Sequence, residues 1–523
     1  MSDAQRDSYD EVPYDAKAFA NTHPDVLATM ATIFGMSPPP VETCRVLELG
    51  CANGANLLPM AYSLPDSRLL GIDLSPRQVA EGQQLIEQLG LTNVQLRAQN
   101  IMDVDETWGQ FDYIVCHGVY SWVPPEVQEK ILAIGGQNLS EQGVFYVSYN
   151  TYPGWHVRGM IRQMMLFHTP RDTAPLERVR RARELLKFMI DSSPAPDNLH
   201  CALLKQEAEI LADASDSYLL HEQLEEFNQP CLFYEFAQRA ASHGLQYLSE
   251  AQFADLGGLL TNESRKQLAE WGGDPVKMEQ YLDFLGGRTF RSTLLVRAEH
   301  ELKRNFSAKI FQQLYLSGRA DPVSDSPQLY DNTTEKFQTI QGITITTNHP
   351  LTKTALTILS EQRPQALSFE ELWQKVCARL GETPSVPEIL NRPEAREELV
   401  MALVRCFLSK SLAMHVYRPA VAQQLSERPV AIPLARHMAA SGGLATNVWH
   451  FSAELNAFER NLLSLLDGTR DRQALLDHLR QHDAAKLLPI SADHPAAARP
   501  EELLPAALDS CLRWIVRAGL LVG

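Results

Sequence analysis

Residues 45–56 read RVLELGCANGAN. The run RVLELG (45–50) is short and apolar, as a buried strand is, and ANLLPMAYSL (55–64) shifts to helical spacing. Between them lies a strand-to-helix turn, ELGCANGAN. Gly50 permits the tight turn, Ala52 stands where a dinucleotide fold usually has its second glycine, and Gly54 opens the helix. Working outward, the alternation continues. RLLGIDL (68–74), VQLRA (94–98), FDYIVC (111–116) and GVFYVSY (143–149) read as strands, while PRQVAEGQQLIEQLG (76–90) and PEVQEKILAIGGQNL (125–139) read as helices. Strands alternating with helices predict an α/β, Rossmann-like, doubly wound parallel sheet, with ligands at the carboxyl ends of its strands.

Bulk properties narrow the class. The chain has 523 residues, long enough for about three domains. A net charge of −17 and a pI near 5.4 argue against a general nucleic-acid binder, whose affinity comes from Lys and Arg neutralising phosphates. The eight cysteines form no CxxC pair and no zinc spacing, so a reducing compartment and no metal site are expected. The N-terminus is polar and acidic, and no run approaches the ~20 apolar residues of a membrane span. A cytoplasmic protein with no membrane insertion is expected.

Ordered motifs carry the functional reading. VLELGCANG, GIDLS, QNIMD, FDYIVCHGV and LSEQGVFYVSY occur in sequence over residues 40–150. Together they resemble the class I S-adenosylmethionine methyltransferases, which implies a seven-stranded sheet and S-adenosylmethionine as cofactor, with S-adenosylhomocysteine as product. An NAD-binding Rossmann domain is the rival reading, but Glu48 would repel a pyrophosphate at that helix N-terminus, and S-adenosylmethionine has no phosphate to repel. The resemblance places Glu48 near the methionine end of the cofactor and Gly50, Ala52, Asn53 and Gly54 beneath it. It places Asp73 and Leu74 at the ribose, Asn100 and Ile101 at adenine (Asn100 where an acid is commoner), and His117 beside the cofactor after the fourth strand. Tyr14, Thr22 and His23, in VPYDAKAFANTHP, are candidates to close over it; a helix merely packing on the sheet is the plainer reading.

Two aromatic segments leave adjacent strands at the ligand-binding end: CHGVYSWVPP (116–125) and NTYPGWH (150–156), the second read as a loop around a Pro-Gly turn. The first lacks the Asp/Asn-Pro-Pro-aromatic tetrapeptide of nucleobase amino methyltransferases. Tyr120, Trp122, Asn150, Tyr152 and Trp155 are therefore candidates to line an acceptor pocket, where desolvation and cation–π attraction suit an amine. The alternative is an aromatic cap over the core. YLLHEQLEEFNQP, EFAQRAASHGLQYLSEA and RTFRSTLL resemble the methyltransferase regulatory domain that accompanies rickettsial-type protein-lysine methyltransferases, with Tyr218, His221 and Glu222 in the shared motif; Tyr218 and His221 share a helical face and are further acceptor-site candidates, a satisfied interhelical histidine being the plainer reading of His221.

The expected layout is a cofactor-covering segment (1–40), the Rossmann-like core (41–150), a helical insertion serving as lid or dimer contact (151–230), and completion of the sheet by two late strands (231–300). A helical bridge (300–318) leads into a winged-helix-like middle domain (301–420), and a C-terminal helical or winged-helix-like domain (421–523) follows. These last segments carry no dense basic stripe, so protein contact is expected rather than nucleic acid. The implied activity is methyl transfer to an amine, most simply a protein lysine. A small-molecule or peptide natural-product methyltransferase and a cofactor-binding regulatory scaffold remain open, as does a homodimer through the insertion.

Overall fold

A computed structural model of the chain describes residues 17–170, 172–195, 197–252, 260–381, 390, 392–442, 444–489 and 500–522. Tyr14 lies outside the described residues.

Helix α1 (Pro24–Ile33) precedes the sheet; His23 caps it by accepting from the Asp25 amide through Nδ1, and Pro24 sits at its first position. Then follow β1 (Arg45–Leu49), α2 (Leu57–Ser63), β2 (Arg68–Asp73), α3 (Pro76–Leu89), β3 (Val94–Ala98), β4 (Phe111–Cys116), α4 (Pro125–Asn138) and β5 (Leu139–Asn150). Ser75 caps α3 and Gly90, left-handed at φ +65°, ends it. Strand β5 runs longer than the expected 143–149, because Leu139 continues pairing to Phe111 across a register shift.

Four helices then leave the sheet: α5 (Gly154–His168), α6 (Pro175–Asp191), α7 (Leu199–Ala212) and α8 (Asp216–Gln223). They share a core of their own that includes Ile161, Met165, Leu186, Leu204 and Leu220. Helix α5 starts at Gly154, immediately after Pro153, so Trp155 and His156 occupy its first turn instead of a loop. The chain returns through α9 (Phe233–Ser242), β6 (Leu245–Glu250), α10 (Asn262–Gly272), α11 (Pro275–Gly286) and β7 (Phe290–Arg297).

The sheet is seven-stranded, in the order β3-β2-β1-β4-β5-β7-β6. β1 to β5 are parallel, and β7 runs antiparallel between β5 and β6. This is the class I methyltransferase sheet. Its residues alternate between two cores. Val46, Tyr113, Val144 and Leu294 pack with α1 and α2, whereas Leu47, Ile114, Phe145 and Leu295 pack with α4 and α9. Arg291, fully buried in β7, lies 3.8 Å over the Phe233 ring and is ion-paired to Asp283, Glu279 and Glu250, tying the returning segment together.

The expected helix over 300–318 is instead a short helix, Ala308–Phe311, followed by a strand, Tyr315–Gly318. That strand pairs with Leu412–His415, and helices Pro350–Glu361, Phe369–Gly381 and Ala395–Leu408 pack nearby. The C-terminal part holds a hairpin (Leu444–Thr446 and Ser452–Glu454) and helices Pro433–Ser441, Ala457–Leu465, Arg472–Gln481 and Pro500–Arg517. The second half seats on α1: the buried Asp25 carboxylate accepts from the Val416 and Tyr417 amides at 3.0 Å each and meets His415 Nδ1 at 2.6 Å. Among the described residues no helix is long and apolar enough to cross a membrane.

Candidate active site

The carboxyl ends of β1, β2 and β4 open into one cavity. Its floor is the turn read at the outset. Gly50 and Cys51 both donate to the Ile72 carbonyl, at 2.8 and 3.0 Å, which folds the loop over the end of β2. Gly50, Ala52 and Gly54 all have positive φ (77°, 49° and 77°). Gly50 has no room for a side chain: a Cβ there would lie 2.4 Å from Val119 Cγ2. Ala52 has no such freedom, and its left-handed turn is held by Asp73, whose Oδ2 accepts from the Ala52 amide at 2.8 Å. Asp73 Oδ1 accepts from the Ser75 amide at 2.9 Å, so one carboxylate fastens two loops.

Glu48, at the end of β1, is 4% exposed. Its Oε1 accepts from Asn56 Nδ2 at 2.7 Å, while Oε2 has no hydrogen-bond partner among the described residues. Burial pushes its carboxyl up to about 7, against the opposing Asn56 hydrogen bond and with help from Asp73. The roof is Phe19, whose ring lies 3.8 Å from that of His117. His117 Nδ1 meets the Tyr146 hydroxyl at 2.8 Å, and burial lowers its pKa to about 3, so it works as a neutral ring.

From the cofactor set, the cavity brings together Glu48, Gly50, Ala52, Asp73, Leu74, Asn100, Ile101 and His117; from the acceptor set it adds Trp122 and His221. The other candidates lie elsewhere. Gly54 packs beneath, against Leu58 and Leu96, and Asn53 faces a separate outer cleft with Tyr218. Thr22 is buried against Asn56, and His23 lines a second cavity near His415. Tyr120 is wholly buried between Tyr149 and Phe236, because its short turn folds it inward onto the apolar sheet face. The Asn150 amide N–H donates to Ser121 Oγ at 2.8 Å, and its side chain donates to Asn228. Tyr152 stacks on His156 at 4.1 Å. Trp155, 2% exposed, stands edge-on to Trp122 at 6.4 Å. Of the two aromatic segments, the first thus reaches the cavity through Trp122, and the second backs it.

Sequence reading passed over Phe19 and Asn56, and it noted Glu222 only as part of the regulatory-domain motif, with no role in the site. Asn56 lies inside the quoted turn but carries no motif signature; its role emerges only from its partners. Glu222 sits next to His221 and lines the cavity with Trp122. It is half-buried, has no hydrogen-bond or ion-pair partner among the described residues, and is pushed up to about 7 by burial.

The donor set suits an adenosyl ligand with hydroxyls and positive charge. It has a carboxylate with a free oxygen, a second carboxylate after β2 and an aromatic roof, and among the described residues Lys17 is the one Lys or Arg in its lining, not a cationic cradle for phosphate. Comparison with known proteins agrees. The family model described as a methyltransferase domain matches residues 40–169, the predicted methyltransferase regulatory domain matches 215–297, and the C-terminal winged helix domain of PKMT matches 427–520. The chain is 33% identical over 507 residues to the uncharacterized protein RP789 of Rickettsia prowazekii, covering 96% of this chain and 90% of that one. The solved structure of PKMT2 from Rickettsia typhi in complex with AdoHcy superposes with a TM-score of 0.86 at 30% identity, over 98% of this chain and 100% of PKMT2. The chain belongs to the PKMT2 family. It is an S-adenosylmethionine-dependent methyltransferase. A second relative, RP028 of Rickettsia prowazekii, is 43% identical over 233 residues, which is 45% of this PKMT2-family chain and 93% of that protein. The two strands expected inside the regulatory-domain segment are β6 and β7 of the catalytic sheet itself.

Proposed function

We propose that this methyltransferase acts on the side-chain amine of protein lysines. The observation that carries this reading is that Trp122 and the Glu222 carboxylate, which has no hydrogen-bond or ion-pair partner among the described residues, both line the cofactor cavity. A carboxylate that forms no ion pair among the described residues, and feels Arg158 and His221 only at longer range, suits an ammonium group on an apolar stem beside an aromatic face. The PKMT2 likeness supports the same substrate class.

The bound cofactor supplies an activated methyl group and its own leaving group. The protein's residues must do the rest. Glu48 and Asp73 hold the cofactor's cationic and hydroxyl ends, and Phe19 with His117 shields the cavity from water. Trp122, braced by Trp155, positions the acceptor stem. The amine must lose a proton before its lone pair can attack carbon. Glu222, with a carboxyl pKa near 7, is matched to accept that proton at neutral pH. His221, whose Nδ1 lies 3.1 Å from Glu225 Oε1, neighbours it.

The test is to incubate the full chain with methyl-labelled S-adenosylmethionine and, separately, cell-envelope proteins, lysine peptides and small amines. Label on lysine side chains is the expected result. Label confined to small molecules overturns the reading, and cofactor binding without turnover on any acceptor favours a scaffold. Glu222→Gln should lower kcat by about a hundredfold.

A further inference from the structure

The tip of the C-terminal hairpin is built to present one side chain. Asn447 Oδ1 accepts from the Trp449 and Phe451 amides, at 3.0 and 2.9 Å, and Asn447 Nδ2 donates to the Ala518 carbonyl at 2.7 Å. His450, at the tip, is held left-handed at φ 62° and is 1% exposed. It points away from its own domain, and its Nε2 lies 2.9 Å from Asn56 Oδ1, across 394 residues of sequence.

The hydrogen-bond roles there are determined. Asn56 Oδ1 also accepts from the Phe19 amide at 3.0 Å. Asn56 Nδ2 donates to Glu48 Oε1 at 2.7 Å and to Thr22 Oγ1 at 3.0 Å, and Thr22 Oγ1 donates onward to the Phe19 carbonyl at 2.8 Å. With Oδ1 the acceptor, His450 must carry its proton on Nε2. Its Nδ1 is buried with no hydrogen-bond partner among the described residues, and burial beside His23 keeps the ring neutral. One amide therefore orients the Glu48 carboxylate and the Phe19 roof, and a histidine from the far end of the chain orients the amide.

We propose that the C-terminal domain completes the cofactor site, with His450 as the positioning residue that fixes Asn56 and, through it, Glu48 and Phe19. Affinity for the amino-acid end of the cofactor then depends on how this domain is seated, whatever the methyl acceptor is.

Two probes separate positioning from general damage. S-adenosylhomocysteine carries the amino-acid end; 5′-methylthioadenosine keeps the adenosine and thioether but lacks it. Calorimetry on the full chain should show His450→Asn, which tolerates the left-handed turn but is too short to reach Asn56, weakening S-adenosylhomocysteine about tenfold while 5′-methylthioadenosine changes less than about twofold. His450→Gln, whose amide reaches the Nε2 position, should restore most of the loss. Equal losses for both probes, no loss for either, or a Gln variant as weak as Asn each overturn the proposal.

Discussion

Glu48 should make cofactor affinity depend on pH, by an amount the structure sets. Its carboxyl is pushed up to about 7 because it is 4% exposed and its Oε2 has no partner. A carboxyl raised above its unfolded value holds its proton more tightly when folded. Its contribution to stability is full below about pH 4.5 and is lost as pH rises through 7, a cost of about 3 kcal/mol to the empty protein. A cation seated against Oε2 reverses this by favouring the ionised form. If binding returns the pKa to about 4.5, linkage weakens S-adenosylhomocysteine binding ~30-fold at pH 5.5 relative to pH 8 and releases about half a proton at pH 7.

Titration calorimetry at pH 5.5, 7 and 8, in buffers of different ionisation enthalpy, reads both quantities. His117 and His450 do not interfere, since burial keeps both neutral throughout this range. Glu222 has a similar pKa and lines the same cavity, so it supplies the control. Glu222→Gln should leave the pH dependence in place and Glu48→Gln should flatten it. A flat affinity with no proton release in the unmodified protein would refute the assignment of Glu48 to the cationic end.

Three further outcomes follow from the packing. Trp122→Ala should raise KM for a lysine peptide five- to thirtyfold, the loss of about 1–2 kcal/mol of cation–π contact, while S-adenosylhomocysteine affinity in calorimetry holds within about threefold. Gly50→Ala combines a left-handed penalty of about 1–2 kcal/mol with a Cβ that would lie 2.4 Å from Val119, so cofactor Kd should rise at least about tenfold with the fold retained by circular dichroism. Arg291→Met strands three buried or half-buried carboxylates with only Arg288 nearby; urea unfolding should show about 3–5 kcal/mol of lost stability, and hydrogen exchange should quicken first in α9, α11 and β6.

The catalytic sheet was legible because each of its signals is local. Parallel strands buried on both faces read as short apolar runs, and the turn after β1 carries its glycines within five residues. Even β6 and β7 were legible across the helices that separate them, since LQYL and TFRSTLLVRA keep strand character by themselves. The aromatic segments were harder. Spacing identified Tyr120 and Trp122 together, but whether a three-residue turn aims a ring at the cavity or at the core depends on what the sheet face below offers. Here Tyr149 and Phe236 take Tyr120, and Trp122 is left facing the cavity. Trp155 read as a loop residue because Pro-Gly suggests a turn; Pro153 instead starts a helix.

Asn56 shows why the remainder was beyond reach. It stands inside the most informative twelve residues of the chain, yet no local pattern marks it. Its acceptor oxygen faces Phe19 and His450, and its amide faces Glu48 and Thr22, so the turn after β1 is joined to two other segments, the 19–22 stretch and the C-terminal hairpin tip. The physical demand on it is stringent. A buried amide with both ends committed admits one orientation, and reversing it would set an N–H against the Phe19 amide and a carbonyl against the Glu48 carboxylate. Aspartate at this position would keep the two acceptor contacts but oppose a second carboxylate to Glu48 at 2.7 Å, which raises the Glu48 pKa further and removes the anion the cofactor needs. The cofactor site of this methyltransferase is therefore not confined to its Rossmann-like motifs. The C-terminal hairpin reaches it through hydrogen bonds from His450 to Asn56 and from Ser452 to the Ala18 carbonyl beside Phe19, which no motif of the core could announce.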